Sequence, residues 1–278
     1  MTPADLSSLR TKIERTANLA TVPQFVARIR GMLEDPATSA AAVGEEIEKD
    51  HVLTAKVLKL VNSGFYGFHS AITTITQSMV LLGFDVVKTL ILTASVLDIL
   101  EAMNKRLVGL WEHSLGTARV ADAIAGRLSM PNPEELAVAG LLHDLGKVVI
   151  AQKLPIEHAR IRRIVAERGC LQFEAERVVL GVTHLEVSSW LLTKWQLPTR
   201  LIVPIAGHHA LDLQGEFADR AAVVHVSDIV CRGLGLGYPG DSRIPALDPR
   251  ALELLRLTRV DLEAVVMRVQ REWGNLGF

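Results

Sequence analysis

The sequence predicts an all-α protein, for three reasons. Apolar residues recur at three- and four-residue steps along nearly all of the 278-residue chain, which is the spacing of one buried helix face. Strict alternation of apolar and polar residues over the length of a strand is scarce. Leu, Ala and Val dominate while aromatic residues make up 5%, which suits close packing of one helix on another. We expect about a dozen helices, joined mostly by short connections.

Proline and glycine residues mark where several of these helices begin and end. Residues 1–16 are charged, carry a helical pattern and do not resemble a signal peptide, so they predict an N-terminal helix. Pro23, Pro155 and Pro198 stand where a first helical turn would begin, and Pro36 follows the end of another helix. The positions of these residues therefore agree with the all-α prediction.

A helix through residues 52–61 is predicted to end at Asn62, because Asn-Ser-Gly is a good C-terminal cap sequence. Three aromatic residues then follow in a turn: Phe65, Tyr66 and Phe68. We expect these rings to fold back into the core; the alternative is an exposed recognition loop.

Composition excludes several classes of protein. With 30 basic and 31 acidic residues the chain lacks the basic excess of a nucleic-acid-binding surface. Cys170 and Cys231 are too few for a disulfide framework and are interpreted as buried thiols in a reducing compartment. The apolar stretch 86–100 carries Lys88 and Asp98 and is too short for a membrane span. We therefore expect a cytoplasmic protein without nucleic-acid or membrane partners.

The chemistry is concentrated in the second part of the chain. Residues 101–106 form a polar seam between two apolar helices, and seven of the nine histidines follow it. A stretch rich in glycine and proline, residues 233–249, predicts a surface loop. We predict four segments: an N-terminal helix (1–16), an N-terminal helical lobe (17–102), a second lobe (103–235), and a C-terminal loop with helices (236–278).

His143 and Asp144 stand side by side at the end of an apolar helical run, and Gly146 and Lys147 follow them. At a helix end, adjacent side chains can converge on one ion. Gly146 removes a side chain beside this position, and the compact charge of Lys147 suits a phosphate oxygen. The spacing predicts a metal site with a neighbouring phosphate site.

A metal ion needs further ligands, and polar residues within other apolar helical stretches can supply them. The predicted ligands are His113, His143, Asp144, His184, His208, His209 and Asp228. Imidazole and carboxylate together are the ligands of Fe, Mn or Zn and suit Mg poorly.

Each ligand also has an ordinary structural interpretation. His208 and His209 would suit a helix C-terminus, and Asp228 could bond to Ser227 or a nearby amide. His225 lies three residues before Asp228 and could serve only as its hydrogen-bond partner. Three remaining histidines are interpreted as structural: His51, His69 and His158.

The order of these residues resembles that of the HD phosphohydrolase superfamily, and in particular its binuclear HD-GYP branch, which hydrolyses cyclic di-GMP. Over residues 17–235 the chain most resembles the HDOD domain, the HD-related output domain of bacterial signalling proteins. The resemblance includes three N-terminal stretches that ordinary HD enzymes lack: TVPQFVARI, DHVLTAKVLKLVNSGFYG and ITTITQSMVLLGF.

The departures from these families bear on function. Many HDOD domains have lost the ligands and act as interaction modules, whereas this chain keeps the full set. The stretch after the histidine pair, HHALDLQGEF, lacks the substrate-positioning residues of HD-GYP enzymes. A Gly-Tyr-Pro occurs only at residues 237–239, beyond Asp228, and is interpreted as coincidence. Gly109 replaces a carboxylate that some relatives use for a third metal.

The resemblance implies a signalling output or adaptor module with a protein partner and a retained metal site. The alternative is a metal-dependent phosphodiesterase acting on a nucleotide or cyclic dinucleotide, and a third hypothesis is a di-iron oxygenase. In the enzyme, Asp144 would bridge two divalent ions, with Fe or Mn favoured over Zn or Mg. Lys147 would hold a non-bridging phosphate oxygen.

Overall fold

The structure is a computed structural model, and it describes residues 3–16, 32, 38–48, 54–55, 57–58, 61–62, 72–83, 87, 107–195 and 197–274. Within these residues there is no strand, which confirms the all-α prediction. None of the described helices is long and apolar enough to cross a membrane. Among the predicted features, Pro23, Pro36, the turn with the three aromatic rings, His51 and His69 lie outside the described residues.

The chain divides into two compact units, a small unit of residues 18–101 and a large unit of residues 1–17 and 102–278. The described helices are, in chain order, α1 (Pro3–Thr16), α2 (Ala40–Glu48), α3 (Ile75–Leu82), α4 (Leu110–Arg127), α5 (Pro133–Leu142), α6 (Leu145–Lys153), α7 (Pro155–Arg168), α8 (Gln172–Leu180), α9 (His184–Lys194), α10 (Thr199–Gly207), α11 (Ala218–Gly233), α12 (Pro249–Leu255) and α13 (Arg259–Gly274). The N-terminal helix therefore belongs to the same unit as the C-terminal helices.

The small unit has a core of its own between α2 and α3. Its buried residues are Val43, Ile47, Val57, Val61, Ile72, Ile75, Met79 and Val87. Asn62 joins two parts of this unit, because its amide nitrogen donates to the oxygens of Leu58 (2.9 Å) and Ile72 (2.7 Å). Its side-chain oxygen accepts from the amide of Ile72 at 2.7 Å.

The core of the large unit lies between α4, α5, α11 and α13. Val120 and Ile124 of α4 are fully buried against residues such as Leu136 of α5 and Val223 of α11. A side chain at Gly140 of α5 would place its Cβ 2.9 Å from the Cα of Ala118 in α4, so these two helices pack backbone to backbone. This close approach matters for the site, because α4 carries His113 and α5 ends at His143.

Two proline predictions and the helix break at the His-Asp pair are visible in the large unit. Pro155 is the first residue of α7, and Pro198 directly precedes α10. His143 ends α5, and Asp144 leaves the helical conformation with φ −96° and ψ 12° before α6 begins. The break places the side chains of His143 and Asp144 at a helix end, although both residues lie within one continuous apolar run of the sequence.

The segment between α11 and α12 is irregular and largely exposed, in agreement with the predicted surface loop. Tyr238 and Ile244 are exposed, but Leu236, Pro239 and Asp241 are buried. The reason is that its backbone and its aspartate bond to interior cations, which glycine and proline content does not reveal. Cys231 is buried as predicted, whereas Cys170 is half-buried.

We expect Gly140→Ala to lower the free energy of unfolding by about 1–3 kcal/mol, because its Cβ meets the backbone of α4, which cannot move aside cheaply. Gly126→Ala in α4 is the matched control, since its Cβ would meet only the guanidinium of Arg268 at 3.5 Å. There the higher helix propensity of alanine is expected to leave stability unchanged or raise it by up to about 1 kcal/mol. Urea unfolding of both variants tests this, and equal stabilities would contradict the close packing.

Candidate metal centre

The seven predicted ligands come together inside the large unit, although they span more than a hundred residues of sequence. The helix break between α5 and α6 supplies His143 and Asp144, and the first turn of α4 supplies His113. The others come from the start of α9, the turn after α10 and the middle of α11: His184, His208, His209 and Asp228. Apart from the half-buried His209, each of these side chains is at most 1% exposed.

The donor atoms form two clusters that share Asp144. In the first cluster, Nε2 of His113 lies 3.2 Å from Nε2 of His143 and 3.0 Å from Oδ1 of Asp228. Oδ2 of Asp144 lies 3.3 Å from His143 and 3.7 Å from His113 in the same cluster. Two ligands of one ion with bonds of about 2.1 Å are about 3 Å apart, so these spacings are close to those of a coordination shell.

The second cluster consists of His184, His208 and His209, whose donor atoms lie within 4.8 Å of one another. The other oxygen of Asp144, Oδ1, faces this cluster and lies 3.3 Å from Nε2 of His184. The carboxylate of Asp144 therefore presents one oxygen to each cluster. Such an arrangement can bridge two ions.

Four buried atoms at the second cluster have no hydrogen-bond partner in the part of the chain that the structure describes: Nε2 of His184, His208 and His209, and Oδ1 of Asp144. A buried polar atom without a partner costs about 1–3 kcal/mol, and native proteins contain few of them. Four such atoms gathered at one point fit a transition-metal ion, since imidazole and carboxylate are its preferred donors. The donor set at this position therefore fits the predicted metal.

The outer nitrogens of the imidazoles hold the rings in the orientation that a metal requires. Nδ1 of His143 bonds to the oxygen of Gly140 at 2.7 Å, and Nδ1 of His208 bonds to that of Ile205 at 2.8 Å. Because a carbonyl oxygen can only accept, each Nδ1 carries the proton. Each Nε2 then presents its lone pair to the centre.

Glu176 of α8 does the same for His184, and the sequence prediction missed it. Oε2 of this fully buried carboxylate accepts from the amide of His184 at 2.8 Å and from its Nδ1 at 2.7 Å. Burial alone would raise the pKa of Glu176, but His184 outweighs burial and holds this pKa below its usual range. Glu176 therefore remains ionised beside the second cluster.

Two buried cations, Lys147 and Arg232, compensate the two ligand carboxylates. Nζ of Lys147 donates to Oδ2 of Asp144 at 2.8 Å, and Nε of Arg232 donates to Oδ1 of Asp228 at 2.8 Å. Burial would raise the pKa of both aspartates, but adjacent histidines and these cations keep each pKa well below its usual range. Both carboxylates are therefore charged and ready to bind a cation.

Both cations also bond to the segment between α11 and α12. Lys147 donates to the oxygen of Pro239 at 3.0 Å. Arg232 donates through Nη1 to Oδ1 of Asp241 at 3.1 Å and to the oxygen of Arg243 at 3.0 Å. The Gly-Tyr-Pro stretch, whose match to the HD-GYP motif is interpreted as coincidence, lies against the metal centre through the bond from Lys147 to Pro239. We define residues 237–243 as the clamp segment.

A chain of buried hydrogen bonds then joins the clamp segment to the second cluster. Oδ2 of Asp241 accepts from the amide of Gln172 at 3.0 Å, and the side chain of Gln172 donates to Oε1 of Glu176 at 2.9 Å. Gln172 and Asp241, like Arg232, were absent from the sequence prediction. Only Arg232 had a local signal, because it lies one helical turn after Asp228.

His225 is not the partner of Asp228 that its spacing suggested. Its Nδ1 donates to the oxygen of His208 at 2.7 Å, and its Nε2 accepts from the amide of Asp248 at 3.0 Å. It therefore supports the turn that carries the histidine pair.

Gly146 has the predicted effect of making room, because a Cβ there would overlap the carbonyl oxygen of His184. His158 is buried in α7 and does not join either cluster.

Comparison with known proteins agrees with this architecture. The family model of the HDOD domain matches residues 19–211. The chain belongs to the HDOD family. An HDOD domain protein of unknown function from Geobacter sulfurreducens is similar with a TM-score of 0.71 and 28% identity, covering 97% of this chain and 96% of its own. The match of the family model ends before Asp228, so this ligand and Arg232 come from the sequence beyond it.

Other relatives of this HDOD protein extend the comparison. A Shewanella amazonensis protein provisionally named a phosphohydrolase shares the fold, with a TM-score of 0.67, 22% identity and coverage of 95% of this chain and 97% of its own. An uncharacterized protein of Treponema pallidum is 25% identical over 71% of this chain and 39% of its own length. The Bacillus subtilis protein YuxH is 27% identical over 41% of this chain and 30% of its own length. The chain thus spans less than half the length of these curated relatives.

We expect Glu176→Gln to weaken metal binding about 10- to 100-fold, because removing an outer partner of a ligating histidine has an effect of that size. The amide keeps the shape of the side chain but loses the charge that orients His184. Glu174→Gln, at an exposed position of the same helix, is the matched control. Competition with a metal-sensitive dye measures both affinities, and equal values for the two variants would argue against the role of Glu176.

The pH dependence of stability provides a second test. Burial holds the pKa of His208 and of His209 well below the usual 6.5. As the pH falls through 6.5 the unfolded chain takes up protons that the folded chain does not, so folding becomes less favourable. The contribution of these neutral histidines to folding stability is therefore fully present above pH 6.5. It is lost as the pH falls toward the lower pKa of the folded state. We expect the melting temperature of metal-free protein to fall across this window and to fall less in His209→Gln; a flat profile would contradict it.

Proposed function

We propose that this HDOD protein is a signalling output module whose His/Asp centre binds a divalent transition metal, with Fe or Mn favoured over Zn or Mg. Metal occupancy would set the conformation that a protein partner recognises. The observation that carries the proposal is the group of four unpartnered donor atoms in the second cluster. Metal binding is the interaction that satisfies all four at once.

The charges around the centre bear on how many ions it takes. Four buried carboxylates (Asp144, Glu176, Asp228 and Asp241) face two buried cations (Lys147 and Arg232). With neutral histidines, the excess of negative charge equals the charge of one divalent ion. We propose that the second cluster fills first, because within the described part of the chain four atoms there lack partners against one, Oδ2 of Asp228, in the first cluster. A second ion in the first cluster must displace Lys147 or Arg232 or bring an anion with it.

The enclosure of the centre favours a regulatory role over hydrolysis. Asp144, Asp228 and four of the histidines are at most 1% exposed, and Lys147 is equally buried. Its ammonium already donates to Asp144 and to Pro239 inside the protein. A phosphodiester would therefore reach the metal only after the clamp segment moves.

A metal-dependent phosphodiesterase is the second candidate, because the complete donor set with a shared Asp144 could hold a metal ion that assists hydrolysis. The provisional name of the Shewanella relative points the same way. A bound divalent ion would supply Lewis acidity at phosphorus. Lys147 would hold a non-bridging oxygen of a nucleotide or cyclic dinucleotide, and for this its ammonium must leave Asp144.

We expect Mn²⁺ or Fe²⁺ to raise the melting temperature of metal-stripped protein, because an ion that binds only the folded state stabilises it by about 2.7 kcal/mol at a hundred times its Kd. Asp144→Asn is expected to remove most of this stabilisation. Asp212→Asn, at an exposed carboxylate in the turn before α11, is the control and is expected to respond like the wild type. Calorimetric melting of the three proteins with and without metal, together with metal analysis, tests the prediction.

The same preparations separate the two candidate functions. Bound metal without turnover of cyclic di-GMP or a generic phosphodiester supports the signalling module. Turnover with Mn²⁺ or Fe²⁺ that disappears in Asp144→Asn would establish the phosphodiesterase instead. A stripped protein whose melting temperature does not respond to Mn²⁺, Fe²⁺ or Zn²⁺ would overturn both.

A further inference from the structure

A cavity of about 250 Å³ lies beside the metal centre, and Lys147 forms part of its wall. The wall also includes His158 and Arg162 of α7, Gln172 of α8, and Tyr238 and Pro239 of the clamp segment. None of the seven ligand residues lines it. The cavity is therefore a separate space that adjoins the centre through Lys147, Pro239 and Gln172.

The charge of the wall indicates an anionic ligand. Its lining residues include two cations, Lys147 and Arg162, and no carboxylate; His158 adds a polar ring. Arg162 is exposed and makes no hydrogen bond or ion pair with any described residue, whereas the adjacent Arg163 pairs with Glu167 at 2.7 Å. A guanidinium without a partner among the described residues, at the edge of a cavity with a buried ammonium in its wall, is suited to a phosphate, because guanidinium groups bind its oxygens in pairs.

The volume of the cavity and its apolar lining residues indicate that the ligand has an organic part beside its anionic group. Since a water molecule takes about 30 Å³ in the liquid, the cavity holds several times the volume of a small ion. Leu110 and the half-exposed ring of Tyr238 provide an apolar surface in the same space. We propose that the cavity binds a small organic phosphate of the size of a mononucleotide, with its phosphate on Arg162 and Lys147 and its planar part against Tyr238.

The position of Lys147 connects this ligand to the metal centre. The same ammonium donates to Asp144 and to Pro239, and Pro239 also lines the cavity. If metal binds as proposed above, the ion would neutralise the carboxylate of Asp144 in place of Lys147. The ammonium of Lys147 could then bind the phosphate. This part of the inference rests on the proposed function, and it makes the two binding events mutually favourable.

The test uses adenosine monophosphate as the probe, with adenosine and inorganic phosphate for comparison, in calorimetric titrations of metal-stripped and Mn²⁺-loaded protein. We expect adenosine monophosphate to bind the stripped protein and to bind the loaded protein about tenfold more tightly, a common size for such coupling. Inorganic phosphate is expected to compete, and adenosine is expected to bind much more weakly. Arg162→Ala is expected to weaken binding about tenfold or more, since it removes a charge-assisted contact.

Arg163→Ala on the same helix is the matched control and is expected to bind like the wild type, and unchanged melting temperatures show that both variants fold. Equal binding of adenosine and adenosine monophosphate, no binding at all, or equal effects of the two substitutions would overturn the cavity site. Binding that requires Mn²⁺ and ignores Arg162→Ala would also overturn it, because the phosphate would then sit on the metal. Binding through Arg162 in a protein that takes up no metal would instead overturn the proposed function and leave the cavity site standing.

Discussion

The structure depends on one electrostatic constraint, the burial of two charged carboxylates in a helical core. Asp144 and Asp228 are each 1% exposed, and an isolated ion in such a place would cost several kcal/mol. Lys147 and Arg232 offset that cost, each from within one helical turn of its aspartate. The two buried cations in turn need further hydrogen-bond acceptors. Burial of the carboxylates therefore also requires acceptors in the residues around the cations.

Those further acceptors all belong to one part of the chain, the clamp segment at residues 237–243. Lys147 reaches the carbonyl of Pro239, and Arg232 reaches Asp241. The clamp segment exposes Tyr238, while Pro239 and Asp241 beside it are buried. Any change in the charge at the metal carboxylates therefore changes the hydrogen bonding of a segment that reaches the surface. In an output module this is a physical route from an enclosed centre to a recognised surface.

The fold class and the candidate metal ligands could be predicted from the sequence, because the patterns that indicate them are local. The helical periodicity predicts the fold class. The apolar surroundings of His113, His143 and Asp228 indicate buried polar residues, which predict a shared ligand such as a metal ion. The rest depended on distances along the chain that no local pattern contains. Glu176 meets His184 only because α8 and α9 are joined by a tight turn, and Asp241 meets Gln172 across a separation of 69 residues. The contacts of the clamp segment could not be predicted for the same reason, since its partners lie in α6 and α11.

The position of Lys147 bears on both proposed functions, the signalling module and the phosphodiesterase. An ammonium has three donors, and here Asp144 and a backbone oxygen engage it inside the protein. In this arrangement it neutralises the ligand carboxylate and holds the clamp segment closed, which favours a stable and inaccessible centre. To bind a phosphate fully it must give up Asp144, and this costs less when another cation replaces it there. A metal at Asp144 would therefore strengthen anion binding through the charge balance of one buried lysine, whether or not chemistry follows.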